Sequence, residues 1–420
     1  MQTPNLQKLL ICRNILADDT VKFFLAALEK PQQTALPYDF AAALITQAEN
    51  LGLSGNLLRS YLIYLLSGGD NSAAKMTELS NGQIGKSLYQ AFCSDMEIFQ
   101  ELFALRPSSL IATSLLDNYQ PTKENNLQSW RQLDREIEQA KSANELADIL
   151  LNYYRRYGYG DIANYRAFRW DSKSHELIGI RHFENIGFTD LIGYKRQKEI
   201  LLANTLAFAA GKPANNVLLV GARGTGKSSS VKALANTYYD QGLRLLQITK
   251  AQLIELPKVM ERLRQLTSKK FIIFLDDLSF EEYEVEYKYL KSAIEGGVEG
   301  RPANVLIYAT SNRRHLIKET WKDRKDEQDE LYRNDSVNET ISLSDRFGLI
   351  INYIAPNQEE YLSIIDTLLK KSGITLADDE LRIQALRWEI THSGRSGRIA
   401  QQFVTHYLGS VTGERTAVIE

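Results

Sequence analysis

The stretch Val217-Leu-Leu-Val220-Gly221-Ala-Arg-Gly-Thr-Gly226-Lys227-Ser228 decides the fold. Four apolar residues without alternation read as a strand buried on both faces, the pattern of a parallel sheet. The turn that follows fits G-x-x-x-x-G-K-[ST], and Val231, Leu234 and Ala235 then mark a helix. Strand, glycine loop and helix in that order are what a phosphate-binding loop requires. The glycines let backbone N–H groups point inward at an anion. The helix start adds positive potential. Lys227 would bring a full charge to β- and γ-phosphates, and the Ser228 hydroxyl would ligate Mg²⁺. The plain alternative is a chance glycine-rich turn, and the flanking pattern argues against it.

Further apolar runs lie on either side: Leu245–Ile248, Phe271–Leu275, Val305–Ala309 and Leu349–Ile354. None alternates, and the segments between them are long enough for crossover helices, so the region from about 185 reads as α/β with a central parallel sheet. Phe271-Ile-Ile-Phe-Leu275 ends in Asp276 and Asp277. Both acids then sit at the carboxyl end of a buried strand, the edge where open α/β sheets bind ligands. Asp276 would hold Mg²⁺ through its water shell, and Asp277 would orient or deprotonate an attacking water. Read alone, the two acids are a polar strand end running into a loop.

The N-terminal residues 1–157 read as a helical domain. Val21, Phe24, Leu25 and Leu28 follow the cap candidates Asp19 and Thr20. Ala41, Leu44, Ile45 and Ala48 repeat the spacing, as do Leu146, Ile149, Leu150 and Tyr153 after the capping box of Ser142 and Glu145. Residues 158–184 read as a linker, in which the aromatic and basic tract Tyr165-Arg-Ala-Phe-Arg-Trp170 packs on the next domain rather than stacking on nucleic acid bases. The α/β core covers 185–355. A helical lid covers 356–420, with Asn357 and Glu360 as a cap signature, Gly373 as a stop, and further helices over about 377–390 and 396–408. The fold class is therefore an α/β P-loop NTPase core with a C-terminal helical lid, preceded by an all-helical N-terminal domain.

Composition fits this reading. The 420 residues suggest two or three domains at roughly 150 each. With 50 Lys+Arg against 52 Asp+Glu the net charge is −2, so no global electrostatic case for nucleic acid exists. Cys12 and Cys93 are too few for a disulfide framework or a cysteine-based zinc site and read as reduced thiols. The five histidines, His175, His182, His315, His392 and His406, lack metal-ligand spacing. No run is long and apolar enough to span a bilayer and no secretory signal opens the chain, so a cytoplasmic location is expected. Lys318 to Asp335, dense in both charges, reads as a solvated helix or loop, or as an insertion that contacts a partner.

The stretches Gly224-Thr-Gly-Lys-Ser-Ser229, Asp276-Asp-Leu-Ser-Phe280, Ala309-Thr-Ser-Asn-Arg-Arg-His315 and Leu343-Ser-Asp-Arg-Phe-Gly348 resemble the AAA+ ATPase superfamily. The closest resemblance is to a prokaryotic AAA+ ATP-binding group catalogued as a domain of unknown function. It covers a little over half the chain. It implies ATP and Mg²⁺ as cofactors, held by Gly221, Ala222, Arg223, Gly224, Thr225, Gly226, Lys227, Ser228 and Ser229, with Ser228 and Asp276 on the metal. Phe188-Thr-Asp-Leu-Ile192-Gly193-Tyr194 is similar to the stretch that wraps the adenine, with Ile192 packing on the base beside Gly193. Asn312 is similar to sensor 1, which positions the lytic water. Arg346 is similar to the arginine finger, with Arg313 and Arg314 as competitors. Arg398 is similar to sensor 2, with Arg395 as its rival; if Ser396 caps its helix, Arg398 lies in the first turn. Asp277 stands where the superfamily usually has Glu, which implies a water closer to the strand and leaves slow turnover open.

The resemblance thus implies an Mg²⁺-dependent ATPase that couples hydrolysis to remodelling of a macromolecular partner. The active form would be a homo-oligomer, and the N-terminal domain would bind the protein or nucleic acid acted upon. Two other readings stand beside it. One is a nucleotide-gated binding or loader protein with little turnover. The other is a small-molecule P-loop kinase, against which Asn312, Arg346, Arg398 and the lid all count.

Overall fold

The computed structural model describes residues 5–29, 35–111, 113–125, 128–280, 284–296, 300–313, 316, 343–392 and 394–416. The chain divides into two compact units. The first runs to Tyr165 and takes in two later loops, Asp240–Gly242 and Arg264–Lys269. It is built from α1 (Asp19–Glu29), α2 (Ala35–Leu51), α3 (Leu57–Gly68), α4 (Ser72–Leu79), α5 (Lys86–Phe103), α6 (Gln128–Gln139), α7 (Ala143–Tyr157) and the short α8 (Asp161–Asn164). Phe24, Leu44, Leu146 and Leu150 are buried, as the 3.6-residue period requires. Asn56, Asn71 and Ser142 each accept a hydrogen bond from an N–H of the first turn of α3, α4 and α7. Such a cap contributes about 1 kcal/mol.

Two expected caps differ in detail. Asp18, not Asp19 or Thr20, accepts from the Val21 N–H of α1, at 3.0 Å. The box of Ser142 and Glu145 closes on one side only, because Glu145 Oε2 takes the Lys141 N–H at 2.7 Å instead. Both thiols are free and buried. Burial, reinforced by Asp95, pushes the Cys12 thiol well above its ordinary pKa. Lys269 is fully buried in this unit, with Nζ 3.2 Å from Glu78 Oε2 and 2.8 Å from the Arg155 carbonyl. The ammonium thus ties the loop Arg264–Lys269 to Glu78 of α4 and to the end of α7.

The second unit carries a seven-stranded sheet in the order β2-β1-β4-β5-β6-β3-β7. The strands are β1 (Ala167–Asp171), β2 (Glu176–Gly179), β3 (Val217–Gly221), β4 (Leu243–Gln247), β5 (Lys270–Leu275), β6 (Val305–Ser311) and β7 (Leu349–Tyr353). The β1–β2 hairpin is antiparallel and every other pairing is parallel. The helices α9 (Lys195–Ala209), α10 (Lys227–Tyr238), α11 (Leu256–Arg264) and α12 (Glu286–Glu295) lie between strands in sequence. Val231, Leu234 and Ala235 of α10 share one core with Leu219, Ile272 and Phe274 of the sheet. β6 is buried along its whole length, which explains its continuous apolar run.

The stretch 158–184 is more than the expected linker, since it holds α8, β1 and β2. In β1, Phe168 and Trp170 are buried while Arg169 between them is exposed, the two-residue period of a strand. The aromatic rings are thus packed away and not presented to a base. The lid helices are α13 (Gln358–Lys371), α14 (Asp378–Thr391) and α15 (Gly397–Thr416), and they belong to the same compact unit as the sheet. The capping box of Asn357 and Glu360 is complete, with both bonds at 2.9 Å. Gly373, at φ +78°, closes α13. Among the described residues no helix is long and apolar enough to cross a membrane. Because β3, β6 and β5 are parallel neighbours, their carboxyl ends bring the loop after Gly221, the Asn312 strand end and the pair Asp276–Asp277 to one edge.

Candidate nucleotide-binding site

At that edge lies a cleft of about 800 Å³. Its floor is the loop from β3 to α10. Gly221 adopts φ +134°, and a Cβ there would lie 1.9 Å from the Tyr353 carbonyl of β7. Only glycine lets β3 turn this close to its neighbour. Gly221→Ala is therefore expected to cost at least about 1–3 kcal/mol of stability, read as a lower midpoint in thermal unfolding. At Gly224, φ +73°, a Cβ would meet Ser396 Oγ at 2.7 Å and Arg398 Cβ at 3.0 Å. The loop and the lid thus touch through glycine backbone, and the Arg398 N–H donates to the Gly224 carbonyl at 3.1 Å. Thr225 Oγ1 staples the turn by donating to the Ala222 carbonyl at 2.8 Å.

The polar groups above the floor form two connected sets. Lys227 Nζ donates to the carbonyls of Gly221 (2.8 Å) and Ala222 (2.7 Å) and to Asn312 Oδ1 (3.2 Å). Asn312 Nδ2 donates to Asp277 Oδ1 at 2.5 Å. The amide orientation follows from charge: its oxygen faces the ammonium and its nitrogen the carboxylate. Burial lowers the Lys227 pKa. Asp277 and Asp276 oppose the shift, and Arg398 and Arg223 add to it. In the second set, Asp276 Oδ1 accepts from Ser228 Oγ at 2.5 Å and from Thr310 Oγ1 at 2.7 Å. The hydroxyl at the start of α10 and the first acid after β5 therefore converge, although 48 positions separate them. Hard oxygen donors at one point suit Mg²⁺.

The walls come from the segment before α9 and from the lid. Glu184, Ile186, Asp190, Leu191, Ile192 and Tyr194 line one side; Ile364, Leu368, Gly397, Arg398 and Gln401 line the other. The first of these segments is tied down by three helices. Asn236 of α10 donates to the Glu184 and Ile186 carbonyls, both at 2.9 Å. Lys198 of α9 donates to the Leu191 carbonyl at 2.5 Å, and Lys371 of α13 to the Thr189 carbonyl at 2.7 Å. Tyr194 holds a left-handed backbone, φ +53°; its ring packs on Tyr353 and its hydroxyl donates to the Ile354 carbonyl at 2.9 Å.

Of the residues singled out in the sequence, Ile192, Arg223, Gly224, Thr225, Gly226, Lys227, Ser228, Ser229, Asp276, Asp277, Asn312 and Arg398 all line this cleft. Gly221 and Ala222 lie beneath it and offer carbonyls to Lys227. Gly193 and Arg346 do not line it. Arg346 is paired with Glu295 of α12, not with its neighbour Asp345. Arg395 is paired with Glu389 at 2.8 Å, which leaves Arg398 as the arginine of this helix start that faces the loop. Ser396 does cap α15, accepting from Ile399 N–H at 3.2 Å. Arg314, His315 and the charged stretch Lys318 to Asp335 lie outside the described residues, and among the described residues no His, Cys and acidic cluster could hold a metal by itself. The sequence reading missed Thr310. The parallel register that pairs Leu275 with Ala309 puts it beside Asp276, and that register would have been the signal.

Residues 163–411 match the model of a family described as a protein of unknown function (DUF815). No curated protein matches the sequence. Among solved structures, similarity extends to the Thermotoga maritima RuvB Holliday junction branch migration motor, at 16% identity and a TM-score of 0.38, over 55% of this chain and 66% of that one. The chain therefore spans just under two thirds of the RuvB chain. It also extends to the AAA domain of FIGL-1 in complex with ADP, at 18% identity and a TM-score of 0.38, over 56% of this chain and 78% of that one. With a glycine loop between β3 and α10, two acids at the end of β5 and helices packed against the loop, the match over residues 163–411 covers the α/β sheet and its C-terminal helices, and the chain belongs to the DUF815 family.

Proposed function

We propose that the protein binds ATP with Mg²⁺ in this cleft and hydrolyses it. The observation that carries the reading is that Lys227, bonded to the loop carbonyls and Asn312, and the pair Ser228–Asp276 line one cleft at the mouth of a glycine cradle. The residues fit the groups. The loop glycines turn backbone N–H groups and the α10 N-terminus toward a polyphosphate. Lys227 exchanges two loop carbonyls and Asn312 for phosphate oxygens. Ser228 and Asp276 would hold Mg²⁺, which supplies charge neutralisation on the phosphates and aligns them. Ile192 and Tyr194 face the side where a base would lie, and Arg398 reaches over the phosphates from the lid.

Asp277 and Asn312 act on water. Asp277 accepts a proton or a hydrogen bond from the attacking water, and Asn312 fixes the carboxylate that does so. Asp277→Asn is expected to keep nucleotide affinity within about threefold while turnover falls by about 10²–10⁴, the range for a lost general base. The check is ATP turnover beside nucleotide titration. Equal loss of both would place Asp277 in binding instead. A nucleotide-gated binder with little turnover is the second reading, favoured by the direct Asn312–Asp277 bond, which engages the acid.

Arg346 does not line its own cleft, which supports a role at the site of a neighbouring copy and hence a homo-oligomer. The partner acted upon would be a protein or nucleic acid gripped by the N-terminal helical unit, with lid movement as the coupled change.

A further inference from the structure

Thr310 is 1% exposed, near the end of β6, and its side chain meets both acids of β5. Its Oγ1 accepts from the Asp277 N–H at 2.9 Å. An amide can only donate, so the single hydroxyl proton is left to point at Asp276 Oδ1, 2.7 Å away. The Thr310 carbonyl takes the Leu278 N–H at 2.7 Å. Asp277 between them sits at φ +52°, a left-handed conformation uncommon in residues other than glycine. One buried residue thus orients the carboxylate of the first acid and holds the unusual backbone that aims the second.

We propose that Thr310 is a positioning residue for the pair Asp276–Asp277, fixing the metal-facing carboxylate and the water-facing one through a single hydroxyl. This rests on the nucleotide and Mg²⁺ reading of the cleft. Ser228 also bonds Asp276, from the first turn of α10, but its hydroxyl is one that would turn to Mg²⁺. Thr310 lies in β6, paired in register with the strand that carries the acids, and its hydroxyl is not one of the groups assigned to the metal. A hydroxyl that merely satisfied a strand end would matter for stability and not for the metal.

The test uses the full chain as wild type, Thr310→Val and Thr310→Ser. Valine keeps the shape and loses both bonds; serine keeps the bonds and loses a methyl. Turnover, KM for ATP and the Mg²⁺ concentration for half-maximal turnover are measured, together with Mn²⁺ affinity of the ADP complex by electron paramagnetic resonance. For Thr310→Val, turnover and Mn²⁺ affinity are each expected to fall about 10- to 100-fold, the range for losing a group that orients a metal ligand. KM for ATP should stay within about threefold, and Thr310→Ser should return both readings to within about threefold of wild type. Wild-type Mn²⁺ affinity in Thr310→Val, or equal impairment of Thr310→Ser, would overturn the assignment. A wild-type chain without turnover removes the hydrolysis and leaves the Mn²⁺ comparison to decide. ADP that brings no Mn²⁺ to the wild type overturns both.

Discussion

In Lys227→Ala, ATP turnover is expected to fall to background and triphosphate affinity by at least about 100-fold, since a hydrogen bond to a charged group contributes about 1.5–3 kcal/mol and Lys227 offers more than one. Among the described residues of the cleft, Lys227, at the start of α10, is the buried cation beneath the loop. The other cleft cations, Arg223 and Arg398, are exposed. Alanine would leave the Gly221 and Ala222 carbonyls and Asn312 Oδ1 without this donor, so the control is the unfolding midpoint. A folded variant that binds ATP as tightly as wild type would show that the loop is not the phosphate site. Titration with a fluorescent nucleotide analogue, alongside thermal unfolding, makes the comparison.

Arg346→Ala is expected to lower turnover by about 10³-fold or more, the effect of an arginine that neutralises charge on the transferred phosphoryl group. Its affinity for nucleotide should be near that of wild type, since Arg346 does not line its own chain's cleft. The guanidinium must leave Glu295 to act on a neighbour. That exposed carboxylate is held below its usual range mainly by its hydrogen bond with Arg346, and such a surface pair contributes little, about 0–1 kcal/mol. Breaking it costs little beside a transition-state contact. In mixtures of wild-type and Arg346→Ala chains, activity should fall faster than the wild-type fraction, because each variant chain disables an adjacent site. Strictly proportional activity from chains that sediment as monomers would remove Arg346 from a neighbour's site.

Much of the second unit could be read from residues alone. Glycines at 221, 224 and 226 stand where φ is positive, and no other residue type would turn the loop so tightly. The apolar runs of β3, β5 and β6 are buried on both faces, so composition alone marks them. The β1–β2 hairpin escaped for the opposite reason. Arg169, Asp171 and Glu176 face outward between Phe168, Trp170 and Leu177, and so polar a mixture reads as a connecting segment. Pairings between distant positions were also out of reach. Nothing local to Thr310 shows that it will lie beside Asp276, nor that Arg346 will choose Glu295 over Asp345. In the helical unit the apolar period located α1, α2 and α7. The burial of Lys269 against Glu78, which draws a loop of the α/β sequence into that unit, depends on a contact 191 positions apart.

Isothermal titration of the purified, folded chain with ATP, with and without Mg²⁺, tests the central claim most directly. A saturable heat with one site per chain, tighter with the metal present and absent in Lys227→Ala, is the predicted result. No heat from ATP or any other nucleoside triphosphate, in a sample whose unfolding transition is intact, would contradict it.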